Sequence, residues 1–171
     1  MSMHTATTVL VLAATLSLGA CAKQAPAPER AAEVTAETTA VPAPTQALPL
    51  VVVHKSPSCG CCGLWVDHMR QAGFQVEVRD EDNVNPVKER VGVPYGKGSC
   101  HTAEVGGYFI EGHVPAADVK RLLAEKPDAK GLVLPGMPMG SPGMEMPDGH
   151  SEPYTVELVR RDGTTAAFAA H

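Results

Sequence analysis

The sequence predicts an α/β domain in which a central mixed sheet is flanked by helices, and two observations support this. Short β-branched or alternating apolar runs take turns with segments whose apolar residues recur at helical spacing. In addition, three cysteines at positions 59, 61 and 62 follow the first apolar run, where the first predicted helix begins. A chain of 171 residues is long enough for one such domain with appendages.

The first predicted elements are a strand, a helix and a second strand. The β-branched run at 50–54, followed by Ser-Pro-Ser, is typical of a buried strand. Residues 74–79 alternate apolar and polar side chains, as a half-buried strand does. Between these strands, Gly73 can cap a helix whose apolar residues recur at helical spacing, namely Leu64, Trp65, Met69 and Ala72.

A short helix and a hairpin come next. Either Asn83 or Asn85 can cap the helix, which runs through Val91. A Gly-Gly pair then predicts a tight turn between strands at 102–105 and 108–110.

The last predicted helix begins at Pro115 and ends near Lys126, before a proline. The order is then strand-helix-strand-helix-strand-strand-helix, as in the thioredoxin and glutaredoxin fold. Those proteins keep a Cys-x-x-Cys pair at the start of the first helix, where this chain has its cysteines. We therefore predict a thioredoxin-like domain over 49–171, with a C-terminal Met/Pro/Gly-rich loop at 135–147 and a closing hairpin over 154–160 and 164–169.

The N-terminal part predicts export and anchoring. Residues 9–20 are apolar and too short to span a bilayer, as in a signal peptide, and the segment ends in Leu-Gly-Ala-Cys, which resembles a bacterial lipobox. We expect a signal peptide with lipobox over 1–21, lipidation of Cys21, and a periplasmic location at the outer membrane. The alternative is an ordinary secretory signal. Residues 22–48 are rich in Ala, Pro, Thr and Glu and predict a disordered tether.

Charge limits the choice of partners. The formal net charge is −5 and the chain has no basic run, so no nucleic acid is expected as a partner.

The cysteines carry the predicted chemistry. Cys59 and Cys62 form a Cys-x-x-Cys pair at a helix N-terminus, where the helix dipole favours thiolate, the form that attacks disulfides and binds soft metals. Cys61 lies between them and would invite mispairing in a pure redox motif, so it favours a metal site. In a thioredoxin-like layout Cys100 would face this pair, at the place where thioredoxins hold a proline.

The choice of metal depends on the methionines. Four thiolates could close a zinc site, but Met137, Met139, Met144 and Met146 lie in a Pro/Gly-rich loop, and thioethers suit Cu(I) far better than zinc. We therefore predict copper, as Cu(I), and since thiolates can bridge several such ions the site can be polynuclear. His101 is a weaker candidate ligand, as are Met137, Met139 and Met144, whereas His113 is better explained as a helix cap.

Three separated motifs resemble the CopG-type family of bacterial copper-resistance proteins. They are Ser-Cys-Gly-Cys-Cys at 58–62, Cys-His-Thr at 100–102 and the Met/Pro/Gly-rich stretch at 135–145. The resemblance implies a periplasmic copper-handling protein with a thioredoxin-like fold, whose Cys-x-Cys-Cys motif holds copper. It also implies copper ions and other periplasmic copper-handling proteins as partners, and a copper redox role.

Two alternative functions stay open from the sequence. One is a thiol-disulfide oxidoreductase with Cys59 as nucleophile and Cys62 as resolving thiol. The other is a structural module whose four domain cysteines form disulfides.

Overall fold

The computed structural model describes residues 47–171, which contain a seven-stranded mixed sheet and three helices. The helices are α1 (Gly60–Gln71), α2 (Asn85–Val91) and α3 (Ala116–Glu125). The strands are β1 (Val51–Lys55), β2 (Val76–Asp80), β3 (His101–Val105), β4 (Tyr108–Glu111), β5 (Ala129–Val133), β6 (Thr155–Arg160) and β7 (Thr165–Ala170). The predicted α/β class and central mixed sheet are confirmed.

The sheet has the strand order β2-β1-β3-β4-β5-β6-β7. The pairs β1·β2 and β4·β5 are parallel, and the other neighbouring pairs are antiparallel. The seven predicted elements from the first strand to the third helix occur in the expected order, and the closing hairpin is β6 and β7. The sheet is therefore richer in strands than the thioredoxin-like prediction required.

Strand β5 is the element that sequence patterns missed. Gly131 interrupts its apolar run, and the structure explains why a glycine is needed there. A Cβ atom at this position would lie 2.0 Å from the backbone oxygen of Phe109 on the neighbouring strand β4. Close approach of two backbones is a common reason for glycine inside a strand.

The two faces of the sheet carry different helices. Trp65 and Met69 of α1 share one core cluster with Val119 and Leu122 of α3 and with the inward-facing side chains of β1 and β3. The opposite face carries α2, whose Lys88 donates a hydrogen bond to the Thr102 hydroxyl. Since strand side chains alternate between faces, α1 and α3 lie on one side of the sheet and α2 on the other.

The prediction of an asparagine cap for α2 was wrong, whereas the glycine signals at helix ends are confirmed. Val84 is the N-cap residue of α2, and it makes no side-chain capping bond. Asn83 Oδ1 accepts the backbone N–H of Asn85 at 3.0 Å and so supports the segment that enters the helix. Gly73 and Gly92 follow α1 and α2 with positive φ angles of 94° and 81°, which only glycine adopts freely.

The segments that carry the candidate site residues meet at one edge of the sheet. The register pairs the last residue of β1, Lys55, with the first residue of β3, His101. It also pairs Thr102 with Glu111, the last residue of β4. The segment after β1, the segment before β3 and the segment after β4 therefore meet at the same edge.

The predicted signal peptide, Cys21 and nearly all of the predicted tether lie outside the described residues. The final tether residue, Leu48, is partly buried against the core. None of the helices within residues 47–171 has the length and apolar character that a membrane span requires.

Candidate metal centre

The first turn of α1 presents three of the cysteines. Cys59 is the N-cap residue of α1, in an extended conformation and without a side-chain capping bond, and its backbone N–H donates to the Ser56 carbonyl at 3.0 Å. Cys59 and Cys62 form a disulfide, and Cys62 is fully buried. The Cys61 thiol is free and half-buried, with its Sγ 3.6 Å from Cys59 Sγ.

Cys100 reaches this group from the other side of the site. It lies just before β3, and its thiol is free and half-buried. Ligand atoms of Cys59, Cys61, Cys62 and Cys100 all lie within 4.8 Å of one another. The structure thus brings together the four cysteines that the sequence analysis selected, and it brings them together as two free thiols and one disulfide.

The protonation state of Cys100 follows from its surroundings. Burial, together with the neighbouring Cys61 thiol, raises the pKa of Cys100 to about 11. The metal-free side chain is therefore a neutral thiol near pH 7, and a metal ion that binds its sulfur has to displace a proton.

His113 is the residue that the sequence analysis undervalued. Its Nε2 lies 3.1 Å from Cys100 Sγ, and its Nδ1 lies 2.8 Å from the Pro142 carbonyl oxygen. Because a carbonyl only accepts, Nδ1 carries the proton and the Nε2 lone pair faces the sulfur. Burial lowers the pKa of His113, so the ring is neutral at pH 7. A backbone carbonyl holding one ring nitrogen is the usual support of a metal-binding histidine.

His113 does not cap α3. The backbone N–H of Ala116, in the first turn of that helix, donates instead to Nε2 of His68 at 3.0 Å. His113 follows β4, and the end of β4 lies beside the end of β1 and the start of β3. Strand pairing is therefore the signal that could have identified His113.

His101 lies beneath the cysteines and is completely buried. Its Nδ1 lies 3.6 Å from Cys100 Sγ, and its ring centroid lies 4.5 Å from the Trp65 ring. Its Nε2 has no hydrogen-bond partner among the described residues. The pKa of His101 lies well below its usual value, mainly because the ring is buried and also because His113 and Lys88 lie nearby. The ring is therefore neutral. Cys100, His101 and His113 form a second group whose ligand atoms lie within 4.8 Å of one another.

The methionine-rich loop packs directly on this site. A Cβ atom on Gly143 would lie 2.7 Å from the Cys61 carbonyl oxygen, 2.8 Å from the Trp65 backbone nitrogen and 3.3 Å from His113 Nδ1. The backbone of the loop therefore lies against the first turns of α1. Its methionines differ in exposure: Met137 and Met146 are exposed, whereas Met139 and Met144 are half-buried.

A buried ion pair supports the segment that carries Cys100. Glu111 is fully buried and accepts hydrogen bonds from the Lys88 ammonium, the Thr102 hydroxyl and the backbone N–H of Ser99. Burial raises the pKa of Glu111, and the Lys88 charge opposes that shift. The donors fix the carboxylate, and the carboxylate in turn fixes the residue next to Cys100.

Two surface clefts among residues 47–171, of about 390 and 420 Å³, lie elsewhere. Both are lined by residues of the turn between β3 and β4, at the end of the sheet remote from the cysteines, and neither includes a cysteine. The sulfur site is a cluster of side chains rather than part of either cleft.

The donor set suits a soft metal ion. Thiolate sulfur with a neutral imidazole is the combination that Cu(I) and zinc prefer, whereas Mg²⁺ and Ca²⁺ require oxygen ligands. The Nε2 lone pair of His113 faces Cys100 Sγ. With the Cys59–Cys62 disulfide formed, two sulfurs are unavailable as thiolate ligands, so full use of the site requires reduction.

The fold and this cluster define a class, namely small α/β proteins with a candidate thiol metal centre at the start of the first helix. Two solved structures of one protein, described as copper resistance protein CopG in forms 1 and 2, match the chain at 44% sequence identity. Each match covers 72% of this chain and 98% of that chain, with TM-scores of 0.68 and 0.69. The chain belongs to the family of copper resistance protein CopG, as its motifs predicted.

A family comparison adds a second description. Residues 97–144, which include Cys100, His113 and the start of the methionine-rich loop, match a family described as a protein of unknown function, DUF411. No curated protein sequence matches the chain.

Proposed function

We propose that the chain binds Cu(I) through Cys59, Cys61, Cys62 and Cys100 and contributes to copper resistance by lowering the concentration of free copper. The observation that carries this proposal is the meeting of four cysteine side chains within 4.8 Å. Family membership with a protein described as a copper resistance protein supports copper as the metal. Thiolates bridge Cu(I) ions, so the four sulfurs hold a polynuclear site.

Further residues complete the proposed site. His113 contributes Nε2 as a nitrogen ligand, since that atom faces Cys100 Sγ at 3.1 Å. His101 lies deeper and orients Cys100 through Nδ1. Met137, Met139 and Met144 give the adjacent loop a weaker thioether surface for the entry of Cu(I).

The thioredoxin-like interpretation of the fold belongs to the same proposal. It is supported by the strand order β2-β1-β3-β4, by the parallel pairing of β1 with β2, and by the cysteine pair at the start of α1. The strands β5 to β7 are then an extension of the thioredoxin-like sheet.

The proposed location is the periplasm, with Cys21 lipidated at the outer membrane and residues 22–48 as the tether. This rests on the lipobox-like Leu-Gly-Ala-Cys sequence at 18–21. Labelled palmitate is expected to enter the wild-type chain in cells and to be absent from Cys21→Ser. Equal labelling of both chains would refute the lipid anchor at Cys21 and would leave the metal-binding proposal unaffected. Other periplasmic copper-handling proteins are its proposed partners.

Anaerobic titration of the fully reduced chain with Cu(I), against a competing chromophoric chelator, tests the metal proposal. The expected result is more than one copper ion per chain for the wild type and fewer for Cys61→Ser. Cys21→Ser is the matched control, because it removes a thiol outside the site and is expected to leave the stoichiometry unchanged. Full copper loading of Cys61→Ser would contradict the role of the middle cysteine.

A second candidate function, thiol-disulfide exchange, is favoured by one specific observation. The Cys59–Cys62 disulfide spans the first turn of α1, with Cys62 buried and Cys59 half-exposed, as a nucleophile and its resolving thiol require. Copper-free reduction of insulin disulfides is the test. Turnover that persists in Cys61→Ser and vanishes in Cys59→Ser would favour this function over metal binding.

Copper redox cycling joins these two functions. The chain holds a disulfide that can accept two electrons next to thiols that can bind Cu(I). Electrons can then pass between sulfur and copper without a further cofactor.

A further inference from the structure

Two thiols of the metal centre are left over when the first disulfide has formed. Among residues 47–171 the free cysteines are Cys61 and Cys100, and both are half-buried. They come from different parts of the fold, Cys61 from the first turn of α1 and Cys100 from the segment before β3. Their side chains nevertheless lie within the same 4.8 Å group.

We propose that Cys61 and Cys100 form a second disulfide when the chain is oxidised beyond the Cys59–Cys62 bond. The four sulfurs of the centre can then give up four electrons rather than two. The inference deepens the proposed copper function, because it takes Cu(II) as the oxidant, but the bond itself can be tested without copper.

The chemistry balances with copper as a one-electron oxidant. The two thiols lose two protons and two electrons, and one S–S bond forms between Cys61 and Cys100. Two Cu(II) ions each accept one electron and become Cu(I), and the protons pass to water. A reduced chain with four thiols can therefore reduce four Cu(II) ions in two steps.

Cys100 is the partner left for Cys61 in this cluster. Cys61 Sγ also lies 3.6 Å from Cys59 Sγ, but Cys59 is bonded to Cys62, and Cys62 is completely buried. The sulfurs of Cys61 and Cys100 lie at most 4.8 Å apart, and they have to approach to about 2.05 Å for a disulfide to form.

Stepwise oxidation would remove the metal ligands in a defined order. The first disulfide withdraws Cys59 and Cys62 and leaves Cys100 grouped with His101 and His113 within 4.8 Å. The second disulfide withdraws Cys61 and Cys100, so that no thiolate of this cluster is left to hold Cu(I). Copper release would then be graded by the oxidation state of the chain.

Mass spectrometry of the metal-free chain tests the bond directly. The sample is the full chain carrying Cys21→Ser, reduced, freed of metal and then oxidised with either excess diamide or excess Cu(II). The expected product is a monomer that has lost four hydrogens and has no thiol left to alkylate. Trypsin is expected to release residues 56–70, with three cysteines, joined to residues 98–120, with Cys100.

Two variants separate the proposed pairing from other disulfides. Cys61→Ser is expected to lose only two hydrogens, to keep Cys100 free and to give unlinked peptides. The double variant Cys59→Ser/Cys62→Ser is expected to lose two hydrogens and to keep the two peptides linked. The inference would be overturned if the chain with all four cysteines at positions 59–100 kept two thiols after treatment with diamide and also after treatment with Cu(II). It would also be overturned if the two peptides were linked in Cys61→Ser, or if they were linked only between two chains.

The outcome is independent of the proposed function. A chain that binds Cu(I) when reduced, yet forms no second disulfide, refutes this inference alone. A chain that forms the link with diamide, yet binds no Cu(I), refutes the copper proposal alone.

Discussion

His113 shows how a single side chain can be prepared for a metal by its neighbours. The Pro142 carbonyl accepts a hydrogen bond from Nδ1–H at 2.8 Å, so the proton stays on Nδ1 and the lone pair of Nε2 lies 3.1 Å from Cys100 Sγ. Since the ring is buried and its pKa is lowered, the neutral form required of a ligand is present at pH 7. In the proposed copper site the imidazole would therefore need no change of tautomer and no loss of a proton to act as a ligand.

The substitution His113→Ala is expected to weaken Cu(I) binding by roughly 10- to 100-fold, the range seen when groups that complete or orient a metal site are removed. The thiols remain, so the number of reactive cysteines in the reduced chain should not change. Competition with a chromophoric Cu(I) chelator measures the affinity.

His150→Ala is the matched control for this substitution. His150 is exposed in the segment after the methionine-rich loop, and its backbone N–H donates a hydrogen bond to the Asp148 carboxylate. An equal loss of affinity in both variants would show that His113 has no special role at the site.

Among the structural elements, the methionine-rich loop packs on helix α1 at Gly143. Gly143 has a φ of 85°, and the space where a Cβ would stand is occupied by backbone atoms of Cys61 and Trp65. Helix α1 cannot yield at these atoms without losing its first turns. Any side chain at position 143 therefore has to lift the loop away from the cysteines.

We expect Gly143→Ala to lower the free energy of unfolding by about 2–4 kcal/mol, from the positive φ and the steric conflict together. Gly149→Ala is the matched control. The φ of Gly149 is 75°, but among residues 47–171 no atom beyond its two chain neighbours lies within 4 Å of the Cβ position, so only the backbone cost of about 1–2 kcal/mol applies. Urea unfolding of the reduced, metal-free chain measures both losses. Equal losses would show that the loop does not pack on α1 as described.

At the scale of the whole molecule, patterns local in sequence predicted most of the fold. Helical spacing in α1, the glycine turn between β3 and β4 and the closing hairpin are each encoded within a few residues. Strand β5 was missed because the backbone of Phe109 on another strand leaves no room for a side chain at Gly131. A contact between two strands is not visible in the local sequence. Likewise, the meeting of the segments after β1, before β3 and after β4 at one edge of the sheet depends on how the strands pair, and local sequence patterns do not show it.

The residues of the candidate site also differ in how far the sequence could predict them. The proximity of Cys100 to the other cysteines could be anticipated because a thioredoxin-like layout fixes where the segment before β3 lies. His113 could not, since its contact with Cys100 depends on where β4 ends and on a carbonyl supplied by Pro142 from the loop. Its position next to Pro115 instead suggested a helix cap, a role taken by His68.

The buried histidines also make the stability of the whole domain depend on pH. His101 and His113 are buried, and burial lowers the pKa of both below the 6.5 of the unfolded chain. Below about pH 7 the unfolded chain therefore binds more protons than the folded one, so the free energy of unfolding decreases as the pH falls. Glu111 acts in the opposite direction, because its raised pKa adds stability that is lost as the pH rises above its unfolded value.

For the reduced, metal-free chain we expect the free energy of unfolding to fall between pH 7.5 and 5.5. Each buried histidine contributes at most about 1.4 kcal/mol per pH unit below its unfolded pKa. Urea unfolding at several pH values measures the slope. His101→Gln removes one titrating group at the same depth and is expected to flatten the slope, whatever its effect on stability at pH 7.5. An unchanged slope in that variant would mean that His101 takes up its proton over the same pH range in the folded and the unfolded chain, which its complete burial next to Trp65 and His113 opposes.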